Sequence, residues 1–275
     1  MRLKAAFLSG FLLLAGVAPA AWEDHIKSAV LAQRKGALKQ AEEELARALL
    51  LAERFGEKDP RLAYTQDYMG LLYLNRQEPQ DAKLLFEKAL AGFEAARGPG
   101  SEEALMEAGR LAEACSQLKE WRRAEELYRR VLEAKLKDPK TTAGVSAEAH
   151  TDLGIALDAQ GKITAAIAEY EQAQELRRSL ASQSTELAES LSNLGRAYYV
   201  KGDYAQAEQL MLQALEMDEA VAGPDHALVA DDLRRLAPVL RKAGKESEAV
   251  AALARAKQIS APAEKPKGKK KRASR

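Results

Sequence analysis

Alanine recurs along this chain at a nearly constant interval. Successive spacings between six such alanines are 41, 42, 42, 41 and 42 residues. These anchor positions are Ala41, Ala82, Ala124, Ala166, Ala207 and Ala249. Each anchor is followed by a large apolar residue after four positions and by a small residue or valine after seven, which forms one apolar stripe on one helix. The regular period predicts six copies of one helical unit.

A second helix in each unit is indicated by the residues before the anchor. The position five residues earlier is glycine in four units and Gln77 or Lys119 in the other two. Glycine adopts left-handed backbone angles at low cost, as a tight turn between helices requires. The position twelve residues earlier is always glycine or alanine, which permits close packing of two helices. We therefore expect a pair of helices joined by a tight turn in every unit.

These positions predict an all-α chain with the following layout. First helices are expected near residues 22–35, 61–75, 101–118, 145–160, 185–201 and 226–243. Second helices are expected near residues 37–55, 79–97, 121–137, 163–181, 204–221 and 246–260. Pro238 falls inside the sixth first helix and is expected to kink or break it.

The order of these residues resembles the tetratricopeptide repeat (TPR). In that family a Leu-Gly pair, a Tyr, an Ala, a Phe or Tyr and a second Ala recur across two antiparallel helices. The best match runs through Leu194, Gly195, Tyr198, Ala207 and Ala214. The usual period is about 34 residues, so the longer interval here is similar to the 42-residue subclass of kinesin light chains. The resemblance implies a right-handed superhelical α-solenoid of about six helix pairs over residues 21–260.

Composition agrees with helices and shows an uneven charge. The chain has 275 residues, of which 47% are hydrophobic and only 5% aromatic, and it is rich in residues that favour helices. The formal net charge is +1, but residues 21–264 carry a net charge of −8. The segment 265–275 carries seven basic residues and no acidic one. An acidic body is therefore joined to a basic segment.

The first twenty residues have the three-part pattern of a secretory signal peptide. Arg2 and Lys4 precede an apolar run over residues 5–17, and Ala18 and Ala20 occupy the −3 and −1 positions of a cleavage site. Cleavage near Ala20 would place the protein in the periplasm or outside the cell. An uncleaved N-terminal anchor is the alternative. The single cysteine, Cys115, falls in an apolar column of the repeat and is expected to be a core residue.

No motif for catalysis or for a cofactor stands out. The histidines His25, His150 and His226 do not form a metal-binding pair, and no phosphate-binding glycine loop follows a strand. Acidic runs such as residues 42–44 are expected on solvated helix faces. We expect a non-catalytic protein with no metal, no cofactor and no small-molecule substrate.

The resemblance implies that first helices line a concave groove that binds other proteins. In this family certain positions of the first helix face that groove, and here they include Glu148, Glu189 and Asp231. The selected partner-binding residues are Tyr64, Asp67, Tyr68, Asn75, Arg110, Glu113, Asp152, Asn193, Arg196, Tyr199, Arg234 and Arg235. The hypothesis is that an extended or helical segment of a partner contacts them. The alternative is that they are ordinary solvated side chains.

The segment 261–275 lacks any apolar period, so we expect it to be disordered. Its positive charges could bind a polyanion, an anionic membrane surface or the protein's own acidic body. The residues assigned to that binding are Lys267, Lys269, Lys270, Lys271 and Arg272. A purely solubilising segment remains the alternative.

Overall fold

The computed structural model describes residues 19–56, 59–181 and 183–260. Across these residues the chain forms twelve α-helices and one short 3-10 helix, and no strand. Nearly all of the predicted signal peptide and the whole basic segment 261–275 lie outside the described residues. No helix in the described part of the chain is both long and apolar enough to cross a bilayer.

The chain divides into two compact units between Leu118 and Lys119. Unit 1 contains α1 (Pro19–Arg34), α2 (Leu38–Ala52), the 3-10 helix Glu53–Phe55, α3 (Pro60–Asn75), α4 (Pro79–Arg97) and α5 (Glu102–Gln117). Unit 2 contains α6 (Trp121–Lys137), α7 (Ala143–Ala159), α8 (Ile163–Leu180), α9 (Thr185–Lys201), α10 (Tyr204–Ala222), α11 (Ala227–Lys242) and α12 (Glu246–Ile259). Within each unit, helices that are consecutive in sequence pack against one another.

The predicted layout is confirmed to within three residues at every helix end, counting the 3-10 turn that continues α2. Odd-numbered helices are the first helices of the repeat and even-numbered helices are the second. Pro238 was expected to kink or break its helix. Helix α11 is not broken there, since it continues through Pro238 to Lys242.

Helix starts and turns follow from local chemistry. Five first helices begin at a side chain that accepts a hydrogen bond from a backbone N–H of the first turn. These capping residues are Asp59, Ser101, Thr142, Ser184 and His226. All six predicted turn positions have a positive φ, including the non-glycine residues Gln77 and Lys119 at 60° each. The six turns therefore share a left-handed backbone conformation at this position, even where the residue is not glycine.

The core of each unit is built from the repeated apolar columns. All six anchor alanines are fully buried, and so is Cys115, as predicted for a core column. In unit 1, a cluster around Leu45 and Leu72 joins α1, α2 and α3. In unit 2, one cluster surrounds Tyr170 and another joins α11 and α12 to α10. This packing fixes which faces of the first helices remain available to other molecules.

Candidate partner-binding surfaces

In unit 1 the predicted residue Arg110 is paired within the chain. Its guanidinium group on α5 forms an ion pair with Asp67 on α3, and it lies 3.7 Å from the carboxylate of Glu107. The side chains of Asp67 and Glu107 are 4% and 0% exposed, whereas that of Arg110 is 25% exposed. Two of the predicted residues, Asp67 and Arg110, are thus brought together as a link between consecutive first helices.

The carboxyl group of Glu107 is held in its protonated form by its surroundings. Burial raises its pKa to about 9, and repulsion from Asp67 acts in the same direction, while Arg110 opposes both. Burial also raises the pKa of Asp67, against the attraction of Arg110. The cluster is therefore a buried acid pair neutralised by one cation and one proton, and a carboxylate from a partner would have to compete for Arg110.

The other predicted residues of unit 1 divide between packing and exposure. Tyr64 donates a hydrogen bond to Glu103 at 3.1 Å and stacks edge-on against Phe93, and Tyr68 packs on the core cluster of α1 to α3. Asn75 and Glu113 are exposed. Asn75 and Glu113 can therefore each contact a partner without any rearrangement of the core.

In unit 2 the predicted residue Arg196 is also paired within the chain, like Arg110 in unit 1. It forms an ion pair between α9 and the buried carboxylate of Asp158 on α7, and its guanidinium also lies 3.5 Å from the hydroxyl of Tyr170. Burial raises the pKa of Asp158, and Arg196 opposes that shift. As in unit 1, an arginine links two consecutive first helices through a buried acid.

The remaining predicted residues of unit 2 lie on α7, α9 and α11. Asp152 and Asn193 are half-buried, and Tyr199 packs on the second core cluster beside Tyr204. Arg234 and Arg235 are exposed. Of these two, Arg235 lines a cavity that the structure opens in this unit.

That cavity has a volume of about 230 Å³ and lies where α9, α10 and α11 meet. Carboxylates dominate its lining. The acidic residues are Glu186, Glu189, Asp218, Asp231 and Asp232. A single guanidinium group, that of Arg235, partly balances them. We call this the acidic cavity.

Two of its carboxyl groups are deeply buried. Asp218 and Asp232 are 4% and 6% exposed. Ser192 donates a hydrogen bond at 2.8 Å to Asp232 Oδ1, but Asp232 Oδ2 and Asp218 Oδ1 have no hydrogen-bond partner among the described residues. Burial, followed by repulsion from Asp232, raises the pKa of Asp218 to about 7. Each acid of this pair thus keeps one buried oxygen without a hydrogen-bond donor, although the positive charge of Arg235 acts to lower the pKa of both.

A second cavity of about 520 Å³ adjoins the acidic cavity, because Glu186 and Glu189 line both. Its other charged residues are Glu148 on α7 and Arg177 at the end of α8. Glu148, Glu189 and Asp231 occupy one repeat position on three successive first helices, a position that the TPR resemblance assigned to the groove. Asp218 was not foreseen, because it lies on a second helix and the resemblance assigned only first helices to the groove.

Two of the three histidines contact glutamate side chains on the next helix. His25 and His150 occupy the same repeat position and each contacts a glutamate nineteen residues later, at 2.6 and 2.7 Å. In the described part of the chain, no group of three or more histidine, cysteine or acidic side chains is arranged to hold a metal ion.

Stacked helix pairs with polar first-helix surfaces define an all-α helical-repeat protein. Models of the tetratricopeptide repeat match residues 62–103, 116–181 and 186–260. The chain belongs to the tetratricopeptide-repeat family, whose fold serves as a scaffold for protein–protein interaction. No curated protein matches it significantly.

Several solved structures share this solenoid fold. A Podosopora anserina protein with nearly identical kinesin-light-chain TPR-like repeats is 21% identical, with a TM-score of 0.61 over 73% of this chain and 96% of its own. BtubC from P. vanneervenii is 19% identical, with a TM-score of 0.63 over 89% and 91%. The pilF protein of Pseudomonas aeruginosa is 16% identical, with a TM-score of 0.59 over 88% and 92%.

Proposed function

We propose that this protein is an exported, non-catalytic scaffold that binds a peptide or a helical segment of a partner protein along its first helices. The family supports the scaffold role. The leader pattern of residues 1–20 supports export. The observation that carries the binding mode is the pair of adjoining cavities along α7, α9 and α11 in unit 2.

The cavities suit a chain segment better than a compact small molecule. They adjoin along successive first helices, and their rims carry exposed charged residues such as Glu148, Glu186 and Glu189. Extended peptides and helices are recognised by such a row of side-chain sites, each of which takes one residue of the partner. Half-buried Asn193 on α9 can pair its amide with a peptide backbone in the same region.

Position-specific photo-crosslinking tests this binding mode without disturbing the core. A photoreactive amino acid replaces Asn193 on α9, and a matched control replaces the exposed residue Gln172 on the second helix α8. Irradiation in cells should yield a covalent adduct with the same partner protein from position 193 and none from position 172. Adducts that arise equally from both positions, or only from position 172, would contradict binding along the first helices.

Deletion of residues 261–275 distinguishes binding through the basic segment from binding through the first helices. If the first helices capture the partner, the adduct at position 193 persists after residues 261–275 are removed. If the alternative function holds and the segment 267–272 captures a polyanion or a membrane surface, deletion abolishes binding and the adduct never forms. Binding through that segment would also weaken steeply as salt concentration rises.

Export is tested by fractionation of cells that produce the full chain with a C-terminal tag. The processed protein should begin near Ala21, as N-terminal sequencing would show. Replacement of Ala18 and Ala20 by bulky residues should block that cleavage. Wild-type protein that keeps Met1 and stays in the cytoplasm would overturn the export proposal, and it would leave the binding mode to its own test.

A further inference from the structure

The described chain ends beside the acidic cavity. Ser260, the last described residue, is hydrogen-bonded through its hydroxyl group to the guanidinium group of Arg234 on α11. The same guanidinium group pairs with Asp231, which lines the acidic cavity. The segment that follows Ser260 therefore starts two side-chain contacts away from the cavity.

The charge of that segment complements the cavity. Residues 265–275 contain seven lysine and arginine residues and no acid. The residues that line the two adjoining cavities include six carboxylates, whereas three guanidinium groups oppose them, those of Arg177 and Arg235 in the lining and that of Arg234, which pairs with Asp231. Arg177 is already close to Glu189, at 3.7 Å, and it donates a hydrogen bond to Ser190. A surplus of negative charge thus remains at the site.

Two buried carboxylate oxygens at this site need a hydrogen-bond donor. Asp218 and Asp232 line the cavity, and one buried oxygen of each, Asp218 Oδ1 and Asp232 Oδ2, lacks a hydrogen-bond partner within the described residues. Buried carboxylate oxygens are normally satisfied by a donor, because leaving them unpaired is unfavourable. A lysine ammonium group carries three hydrogen-bond donors and one positive charge. It can therefore donate to these oxygens and offset the negative charge of the carboxylates.

We propose that the basic segment 265–272 of this same chain binds in the acidic cavity of unit 2, with lysine side chains directed toward Asp218 and Asp232. The proposal goes beyond the scaffold function, because it concerns the chain alone and needs no partner.

Reach and tethering both favour this intramolecular contact. An extended chain covers roughly 3.3–3.6 Å per residue, so Lys265 can lie roughly 17 Å from Ser260 and Lys271 still farther. A short tether gives an effective concentration on the order of millimolar, so even a weak site is substantially filled. Ion pairs with exposed acids such as Glu189 are individually weak and screened by salt. Several of them together with the buried pair supply the specificity.

Paramagnetic relaxation enhancement on the full chain tests the proposal directly. A spin label is attached at Ser274→Cys in a Cys115→Ala background, and amide signals are compared before and after the label is reduced. Signals of residues 185–189 and 228–231 should broaden, whereas those around Glu126 on α6 should stay sharp. Broadening should decline as salt rises, since the contact is ionic.

Two double variants with equal charge change supply the control. Glu189→Gln with Asp231→Asn removes exposed carboxylates of the cavity and should reduce the broadening. Glu126→Gln with Glu175→Gln removes exposed carboxylates elsewhere in unit 2 and should leave it unchanged. Equal loss in both variants would show non-specific attraction and overturn the proposal.

Two further outcomes would also overturn the proposal. In one, the cavity signals stay sharp in the wild-type chain. In the other, the labelled segment contacts only phosphatidylglycerol vesicles, in which case it is a membrane-surface element. Neither outcome bears on photo-crosslinking at position 193, so failure of this inference is distinguishable from failure of the proposed function.

Discussion

The ring of Tyr170 on α8 fills the space that a side chain on Gly154 of α7 would need. A Cβ atom on Gly154 would lie 2.5 Å from Tyr170 Cε1 and 2.7 Å from Cδ1. Gly70 has the same relationship to Phe86 in unit 1, and Gly195 to Met211 in unit 2. These glycines let the two helices of a repeat approach closely around a large side chain.

Replacement of Gly154 by alanine should destabilise the protein. The added methyl group meets a rigid, fully buried ring, and overpacking of this kind costs roughly 1–3 kcal/mol. Gly109→Ala on α5 is the matched control, because a Cβ there has no neighbour within 4 Å. That variant should stabilise its helix by up to about 1 kcal/mol. Urea denaturation of both variants decides the matter, and a Gly154→Ala protein as stable as wild type would refute the close-packing argument.

Gln77 is strained by the turn between α3 and α4. It has a φ of 60°, a left-handed conformation that costs a non-glycine residue roughly 1–2 kcal/mol. Gln77→Gly should therefore raise the midpoint of thermal unfolding. Gly202→Ala, at the equivalent turn between α9 and α10 with a φ of 92°, should lower it. Shifts of the same sign in both variants would contradict the prediction.

Protonation of Glu107 should make the stability of the protein fall as pH rises. The folded state keeps the carboxyl proton up to a pKa of about 9, whereas the unfolded chain releases it near the ordinary value of 4.5. The folded state therefore binds one more proton between these values, and stability falls by up to about 1.4 kcal/mol for each pH unit. Urea denaturation at pH 6, 7.5 and 9 measures this slope.

Glu107→Gln should flatten that dependence, because glutamine is neutral at every pH. The variant should exceed wild type in stability by roughly 2 kcal/mol already at pH 6, and by a larger margin at pH 9. Glu113→Gln, on the exposed side of the same helix, should keep the wild-type slope. An unchanged slope in Glu107→Gln would show that another group holds the proton.

The helices were predictable because the apolar repeat positions, the turn positions and the composition all indicate the same pairs of helices. The anchor alanines are fully buried, and each turn position has the backbone angle expected of glycine even at Gln77 and Lys119. The course of the chain at Pro238 was harder to predict, because α11 continues through this residue and packs against α12 and α10, contacts that the local sequence does not contain.

Less of the candidate site than of the fold could be predicted from the sequence. The repeat position of Glu148, Glu189 and Asp231 marks the first-helix side of the cavities, since helical periodicity fixes the face of each residue. Burial of Asp218 and Asp232 depends on how α10 and α11 meet, which is a tertiary property. The same applies to Arg110 and Arg196, whose buried acidic partners lie on a neighbouring first helix.

Arg196 should contribute to stability through Asp158, independently of any partner. Arg196→Ala leaves a carboxylate whose side chain is only 4% exposed without its cation, and we expect a loss of about 1–3 kcal/mol. The double variant Arg196→Ala with Asp158→Asn should recover part of that loss, because no buried charge then remains. Arg123→Ala, which breaks an exposed pair with Glu126, should change stability by less than about 0.5 kcal/mol. A double variant no more stable than Arg196→Ala, measured by urea denaturation, would show that Asp158 is not the group that Arg196 stabilises.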